Sequence, residues 1–226
     1  MDNIPVISID GPSGAGKGTI AKILSLDLGW NILDSGALYR TLAFLMGKRS
    51  IDLESFEKHK KNILKEFKVS FDLGVSGEPV KVILCGKDIT KFIRSEEVAI
   101  KTSFISSVPE IRQFIKPCQR SFKRFPGLVA DGRDMGTVIF PDADLKIFLT
   151  ASIEERAKRR LAQLKSKDSK VNMRNLLEDL QERDRKDSER EHSPLKPAEG
   201  SIVMDTTYLD PDEVILEIKK LPFDFF

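Results

Sequence analysis

A glycine-rich turn that ends in a lysine lies near the start of the chain and could bind a phosphate. It reads Gly11-Pro-Ser-Gly-Ala-Gly-Lys17-Gly-Thr19 and has the spacing of a phosphate-binding loop. Glycines let backbone N–H groups curl round an anion, and the helix that follows offers unpaired N–H groups and the positive end of its dipole. Lys17 can reach the β- and γ-phosphates of a nucleotide. The alternative is a turn that merely connects a strand to a helix.

One position of this loop indicates how Mg²⁺ would be bound. Gly18 stands where most phosphate-binding loops carry the hydroxyl that binds Mg²⁺, and Thr19 comes one residue later. Because Gly18 has no side-chain oxygen, we expect nucleotide oxygens and water to hold Mg²⁺, and we assign no side chain as a metal ligand.

Three predicted strands end in charged or hydroxyl side chains, at Asp10, at Asp34-Ser35 and at residues 131–134. Ligands of open parallel sheets bind at the carboxyl ends of strands, so these residues are candidates for a site. Tyr39 and Arg40 follow Ser35 closely enough to lie near it on one helix. The alternatives are that Asp34 and Ser35 only cap a helix and that Arg40 is an ordinary solvated arginine.

Two predicted helices carry clustered arginines. Arg156, Arg159 and Arg160 share a helix face, which could equally be a solvated basic face or a nucleic-acid patch. The acidic neighbours Glu154 and Glu155 and the low net charge argue against nucleic acid.

Along one face of the second of these helices, apolar residues are followed at the same spacing by charged residues. Leu176 and Leu180 are followed at the same spacing by Arg183, Asp187 and Arg190, which suggests an inward-facing polar site. The alternative is an exposed helix with ion pairs such as Glu182–Lys186 and Arg183–Asp187, each worth about 0.2–0.5 kcal/mol.

Several arginines and one loop lysine suit in-line phosphoryl transfer between two phosphorylated molecules. Arginine stabilisation of the charge on the transferred group is worth on the order of 10³–10⁵ in rate, whereas a surface ion pair contributes under about 1 kcal/mol. No Ser-His-Asp arrangement or metal-ligand spacing competes with this interpretation, since His59 and His192 both occur in solvent-facing contexts.

The elements that must position these residues alternate between strands and helices, which predicts an α/β fold with a parallel sheet flanked by helices. Residues 68–92 interrupt the alternation and predict a small antiparallel insertion. Ser35 is expected to cap a helix that ends at Gly47, and Pro117 to kink a helix over residues 109–125. The other predicted elements are strands near 6–10, 30–34, 127–131, 144–149 and 201–205, and helices near 20–28, 53–67, 95–106, 152–164, 171–191 and 210–221, with a polar turn at 165–170.

Size and charge restrict the class of protein. The 226 residues suit one domain, and 37 basic against 35 acidic residues leave a net charge of +2, which suggests neither a nucleic-acid nor a membrane partner. The two cysteines have no metal-type spacing, and the chain shows no signal peptide and no apolar run of about 20 residues. We therefore expect a cytoplasmic protein.

The sequence resembles bacterial cytidylate kinases, a family of nucleoside monophosphate kinases, nearly from end to end. The phosphate-binding loop alone is shared by many kinases, but the blocks at 33–40 and 130–137 are far more specific. The stretches that carry the resemblance are Asp10-Gly-Pro-Ser-Gly-Ala-Gly-Lys-Gly-Thr19, Leu33-Asp-Ser-Gly-Ala-Leu-Tyr-Arg40, Ala130-Asp-Gly-Arg-Asp-Met-Gly-Thr137, Phe140-Pro-Asp-Ala143 and Glu182-Arg-Asp-Arg-Lys-Asp-Ser-Glu-Arg190.

The resemblance implies transfer of the γ-phosphoryl group of ATP to CMP or dCMP, with Mg²⁺. It places ATP on Gly11, Pro12, Ser13, Gly14, Ala15, Gly16, Lys17, Gly18, Thr19 and Arg159. For CMP it implies Arg40, Arg133 and Arg190 at the monophosphate, Ser103, Arg112 and Asp134 at the base, and Arg183 and Asp187 at the sugar, with Ser35 and Tyr39 in the same site. The residues expected to act in catalysis are Lys17, Arg133, Arg159 and Arg183.

The resemblance also implies one P-loop kinase domain over residues 1–226 that acts as a monomer. Its core would be 1–40, 127–150 and 200–221, its monophosphate-binding region 41–125 with the insertion at 68–92, and its helical lid 151–190. The aromatic end, Pro222-Phe-Asp-Phe-Phe226, does not map onto the family, and we expect it to pack on the body or to mark a contact surface.

Two alternatives to this function remain. Another small-acceptor kinase, such as a shikimate-type kinase, would share the loop but would leave the insertion with Ser103 and Arg112 unexplained. A nucleotide-dependent switch would hydrolyse ATP or GTP slowly, yet the chain has no Asn-Lys-x-Asp guanine signature.

Overall fold

A computed structural model describes residues 4–75, 78–165 and 172–226. Most of the predicted polar turn at 165–170 lies outside these residues, as do two residues of the insertion and six of the predicted lid. The chain divides into two compact units. The first unit is Met1–Asn31 with Lys123–Phe226, and the second unit is Ile32–Phe122.

The described residues form the following strands and helices. The strands are β1 Val6–Asp10, β2 Asn31–Asp34, β3 Val69–Asp72, β4 Lys81–Leu84, β5 Lys87–Asp88, β6 Leu128–Asp131, β7 Leu145–Thr150 and β8 Ile202–Asp205. The helices are α1 Lys17–Leu28, α2 Ser35–Lys48, α3 Leu53–Glu66, α4 Thr90–Ile93, α5 Glu96–Ile105, α6 Pro109–Arg120, α7 Ile153–Lys165, α8 Met173–Ser188 and α9 Pro211–Lys219, with a short π-helix at Met135–Ile139. Within these ranges no helix combines the length and apolar character needed to cross a bilayer.

The main sheet has five strands in the order β2-β6-β1-β7-β8. β1 pairs in parallel with β6 and β7, and β8 pairs in parallel with β7. All five residues of β1 are buried, as expected for a central strand with both faces covered. This confirms the predicted α/β fold with a parallel sheet, and it puts the carboxyl ends of β1, β6 and β7 side by side.

The second unit contains the predicted antiparallel insertion. β3 pairs with β4, with Val69 opposite Leu84, and β4 pairs with the two-residue strand β5. The helices beside it share an aromatic core in which Phe56 and Phe114 meet edge to face at 5.4 Å.

Both predicted boundaries of the helix that follows β2 are wrong. Asp34, not Ser35, caps α2, because its carboxylate accepts the Ala37 N–H at 2.9 Å and so satisfies the first turn. Ser35 is therefore the first helical residue. The helix also passes through Gly47 to Lys48.

The predicted helix over 109–125 ends earlier, at Arg120. The Ser121 N–H is shared between the Pro117 carbonyl at 3.0 Å and the Cys118 carbonyl at 3.2 Å, and the Ser121 hydroxyl donates to the Cys118 carbonyl at 2.7 Å. Shared bonds of this kind are common where a helix ends, and they satisfy carbonyls of its last turn.

The aromatic end of the chain packs on the first unit, as expected. The rings of Phe223 and Phe225 meet the Trp30 indole edge to face at 6.1 and 5.1 Å. Trp30 is thereby 5% exposed. Gly127 lies against the same indole so closely that a Cβ there would overlap its ring atoms.

Candidate active site

The glycine-rich loop between β1 and α1 has the conformation that its sequence predicts. Gly14 and Gly16 adopt positive φ angles of 83° and 88°, which side chains other than glycine's rarely tolerate. A Cβ on Gly11 would overlap the carbonyl oxygen of Leu149 at the end of β7. α1 then begins at Lys17, so the unpaired N–H groups of its first turn belong to the loop.

Lys17 lies beneath this loop with little access to solvent. Its Nζ donates to the Pro12 carbonyl at 2.8 Å, and the residue is 6% exposed. Burial, with help from the nearby guanidinium of Arg133, lowers the pKa of Lys17 to about 7, although Asp131 and Asp10 oppose the shift. An anion bound in the loop would favour the charged amine.

Asp10, at the end of β1, holds the segment that follows Arg133 and Asp134. Its two carboxylate oxygens accept the N–H groups of Met135 and Gly136, each at 2.8 Å. Burial raises the pKa of Asp10 to about 6, even though these two hydrogen bonds favour the ionised form. Asp10 is therefore a site-forming residue, as its position at a strand end indicated, although the family resemblance assigned it no role.

Asp131, at the end of β6, is a second carboxylate beside the loop. Its Oδ2 lies 3.3 Å from the point where a Cβ of Gly18 would be. Its charge also opposes the fall in the pKa of Lys17. Its position at the end of a strand had made Asp131 a candidate, although the family resemblance assigned it no role.

The loop after β6 and the end of α8 bring together three of the predicted acceptor-site residues. The Arg133 guanidinium donates to the Asp187 carboxylate at 2.8 Å, and Arg190 lies 3.3 Å from the other oxygen of that carboxylate. Burial on its own would raise the pKa of Asp187, but Arg133 and Arg190 hold it below the usual value. The cluster is largely enclosed, since the three side chains are 9–20% exposed.

The stripe along α8 is buried at its apolar end and charged at the other. Leu176 and Leu180 are 8% and 6% exposed. Arg183 is near enough to lower the pKa values of both Lys17 and Asp187. The alternative of an exposed helix accounts only for the outer face, where Lys186 pairs with Glu182 at 3.2 Å.

The three arginines of α7 differ in their surroundings, so they do not form one solvated face. Arg156 is 5% exposed, donates to the Ser13 carbonyl of the loop and pairs with Asp184 of α8 at 2.6 Å. Arg160 is exposed.

Arg159 lies beside the phosphate-binding loop. Its guanidinium is 3.8 Å from the point where a Cβ of Gly16 would be. It donates to the Thr206 carbonyl at 2.6 Å and to the Glu155 carboxylate at 3.2 Å. The end of β8 therefore orients this arginine.

In the second unit, two of the predicted acceptor-site arginines are held by backbone carbonyls. Arg40 donates to Ile93 at 3.1 Å, and Arg112 donates to Ser106 at 3.0 Å. The Arg112 guanidinium also lies 5.8 Å from the centre of the Tyr39 ring. Arg40 is thus more than an ordinary solvated arginine.

The remaining predicted residues differ in exposure. Ser35 is buried at the start of α2, where Gln119 donates to its hydroxyl at 2.9 Å. Ser103 is exposed on α5. Asp134, in the first unit, is 3% exposed and raises the pKa of Asp10 by its negative charge.

A family model described as cytidylate kinase matches residues 7–222. The chain is 50% identical to the cytidylate kinase of Stutzerimonas stutzeri over 215 residues, which cover 95% of this chain and 93% of that protein. It is 49% identical to the cytidylate kinase of Pseudomonas aeruginosa over 212 residues, with coverages of 94% and 92%. A solved structure of an uncharacterized protein from Eubacterium ventriosum is similar in fold, with a TM-score of 0.50, 17% identity and coverages of 96% and 97%.

Proposed function

The chain belongs to the cytidylate kinase family, and we propose that it transfers the γ-phosphoryl group of ATP to CMP or dCMP, which yields ADP with CDP or dCDP. One observation of the site supports this activity best. Arg133 and Arg183 lie near enough to the loop lysine to lower the pKa of Lys17, and Arg133 also pairs with Asp187. Cations from the loop, from the segment after β6 and from α8 therefore lie near one another, as transfer between two anions requires.

We assign the donor nucleotide to the glycine-rich loop. Its backbone N–H groups and Lys17 would bind the phosphates, and Arg159 would add a charge beside Gly16. The proposed ATP residues are Gly11, Pro12, Ser13, Gly14, Ala15, Gly16, Lys17, Gly18, Thr19 and Arg159.

We assign the acceptor by the family resemblance together with the charges present. In the first unit the Arg133–Asp187–Arg190 cluster offers cations for the monophosphate and a carboxylate for the sugar hydroxyls. Cytosine has an amino donor that suits Asp134 and acceptors that suit Arg112. The proposed CMP residues are Ser35, Tyr39, Arg40, Ser103, Arg112, Arg133, Asp134, Arg183, Asp187 and Arg190.

Catalysis would rest on positioning and on positive charge. A phosphate acceptor is already ionised, so no general base is needed, and Lys17, Arg133, Arg159 and Arg183 would stabilise the charge on the transferred group. The division into core, monophosphate-binding region and lid belongs to the same proposal, in which the lid excludes water from the donor phosphates. Action as a monomer in the cytoplasm also stays a prediction.

Mg²⁺ would enter with the nucleotide. Within residues 4–75, 78–165 and 172–226 no group of three or more acidic, histidine or cysteine side chains could hold a metal ion by itself. The carboxylate of Asp131 beside Gly18 fits a cation that is carried mainly by phosphates and water. Mg²⁺ would neutralise part of the negative charge of the donor phosphates.

A coupled assay of ADP release with ATP and a panel of acceptors tests this function. We expect turnover with CMP and dCMP that greatly exceeds turnover with AMP, GMP or shikimate, and its loss in Lys17→Met. Transfer to shikimate instead of CMP would favour another small-acceptor kinase. ATP hydrolysis with no transfer to any monophosphate would favour a nucleotide-dependent switch.

A further inference from the structure

A buried amide of α6 bonds to the first side chain of α2 within the second unit. Gln119 Nε2 donates to Ser35 Oγ at 2.9 Å. Gln119 is 0% exposed and Ser35 is 4% exposed, so water does not compete for this contact. Neither the spacing of these residues, 84 positions apart, nor the family resemblance pointed to Gln119.

The donors and acceptors of the Gln119 amide favour the orientation in which Nε2, and not Oε1, faces Ser35. Its Oε1 is buried without a partner. In the reverse orientation Oε1 would accept from Ser35, but both N–H groups of the amide would then be buried and unpaired. Two orphaned donors cost more than one orphaned acceptor, so the amide donates.

This bond determines the direction in which the Ser35 hydroxyl can donate. A hydroxyl that accepts from Gln119 must point its own proton elsewhere. Asp34 already caps α2, so the hydroxyl is not needed there, and the described part of the chain contains no acceptor for its proton. An oxygen of a bound ligand would complete the site.

We propose that Gln119 is a positioning residue that makes Ser35 a hydrogen-bond donor to the acceptor nucleotide, at an oxygen of its monophosphate. This proposal rests on the proposed function, and Arg40, five residues further along α2, would supply positive charge for that phosphate. Gln119 is 0% exposed and bonds to Ser35, so it would act on the nucleotide through Ser35 and not by direct contact.

Substitutions that keep the volume of Gln119 but change its polarity test the proposal. In Gln119→Glu the ionised side chain can only accept, so at a pH above the raised pKa of this buried carboxyl the Ser35 hydroxyl turns towards it and away from the ligand. We expect the KM for CMP to rise about tenfold or more, because a hydrogen bond to a charged phosphate is lost. Gln119→Met removes the donor without adding an acceptor and should give a smaller rise. The KM for ATP should change less than about twofold in both variants.

Ser35→Ala provides the matched control, alone and combined with each Gln119 variant. Once Ser35 lacks its hydroxyl, Gln119→Glu should raise the KM for CMP no further. The proposal would be overturned if the effects of the Ser35 and Gln119 substitutions on the KM for CMP were additive. It would also be overturned if the KM values for CMP and ATP changed equally and the melting temperature fell. If Gln119→Glu does not fold, the double-mutant cycle of Gln119→Met with Ser35→Ala tests the proposal instead. Methionine suits a buried position, so we expect this variant to fold.

The wild-type assay separates this proposal from the proposed function. Absence of CMP phosphorylation by the wild type would reject the function. An active wild type whose Gln119→Glu variant is folded and has an unchanged KM for CMP would reject only the role of Gln119.

Discussion

The guanidinium of Arg133 donates to the carboxylate of Asp187 at 2.8 Å, across 54 positions of sequence. This bond links the loop after β6 to the last turn of α8. Because Arg190 contacts the same carboxylate, one negative charge offsets two positive charges inside a largely enclosed cluster. Loss of that carboxylate would leave two guanidinium groups to repel each other.

Asp187→Asn should destabilise the protein in a pH-dependent way. The folded-state pKa of Asp187 is lowered, so its stabilisation is present above the unfolded pKa of about 3.9 and is lost as pH falls through the folded value. We expect the free energy of unfolding to drop by about 1–3 kcal/mol at pH 7, with a smaller difference from wild type at low pH. Urea denaturation at several pH values measures this, and a pH-independent difference would contradict it.

Glu189→Gln is the matched control for Asp187→Asn. Glu189 pairs with Arg185 at 2.6 Å, but its side chain is 61% exposed. We expect this variant to change the free energy of unfolding by less than about 1 kcal/mol, because solvent screens exposed pairs.

Arg183→Met should lower kcat at least about tenfold and leave the melting temperature within a few degrees. The expected loss is kinetic because arginine stabilisation of a transferring phosphoryl group is worth on the order of 10³–10⁵ in rate. Arg185→Met, on the same helix but paired with Glu182 at the surface, is the control and should retain wild-type turnover. If both variants kept the wild-type kcat, Arg183 would not belong to the catalytic site.

ATP binding at pH 8 should take up close to one proton. The pKa of Lys17 in the free protein is lowered to about 7, so its amine is mostly neutral at pH 8, and bound phosphates would raise that pKa again. The affinity for ATP should therefore fall as pH rises above about 7. Isothermal titration calorimetry in buffers with different ionisation enthalpies counts the protons.

Two variants test whether Lys17 takes up the proton. Lys17→Met should abolish the uptake and weaken ATP binding. Lys48→Met, at an exposed position of α2, should behave as wild type. Undiminished uptake in Lys17→Met would assign the proton to another group.

Deletion of residues 222–226 should expose the indole of Trp30. Trp30 is the chain's one tryptophan, and Phe223 and Phe225 cover it, so we expect a red shift of its fluorescence emission and a lower melting temperature. Tyr208→Ala should leave both readouts unchanged, because Tyr208 is 95% exposed. An unshifted emission after the deletion would show that the tail does not shield the indole.

Features set by neighbouring residues were predictable from the chain alone. Short stretches of sequence specify three such features: the glycine-rich loop, the antiparallel insertion and the alternation of strands with helices. The helix start at residues 34–35 was not predictable at single-residue accuracy, because Asp34 and Ser35 both suit a cap. The carboxylate took that place, and the Ser35 hydroxyl bonds to Gln119 instead.

The sequence by itself determined the α/β class, the phosphate-binding loop and the family. Only the tertiary structure decided the partners of the charged side chains, such as Asp10 with the N–H groups of Met135 and Gly136, 125 and 126 positions away. The physical reason is the distance along the sequence over which each feature is determined. Backbone conformation depends on adjacent residues and on apolar periodicity, whereas the partner of a buried charge depends on which distant segments the parallel sheet brings to one edge.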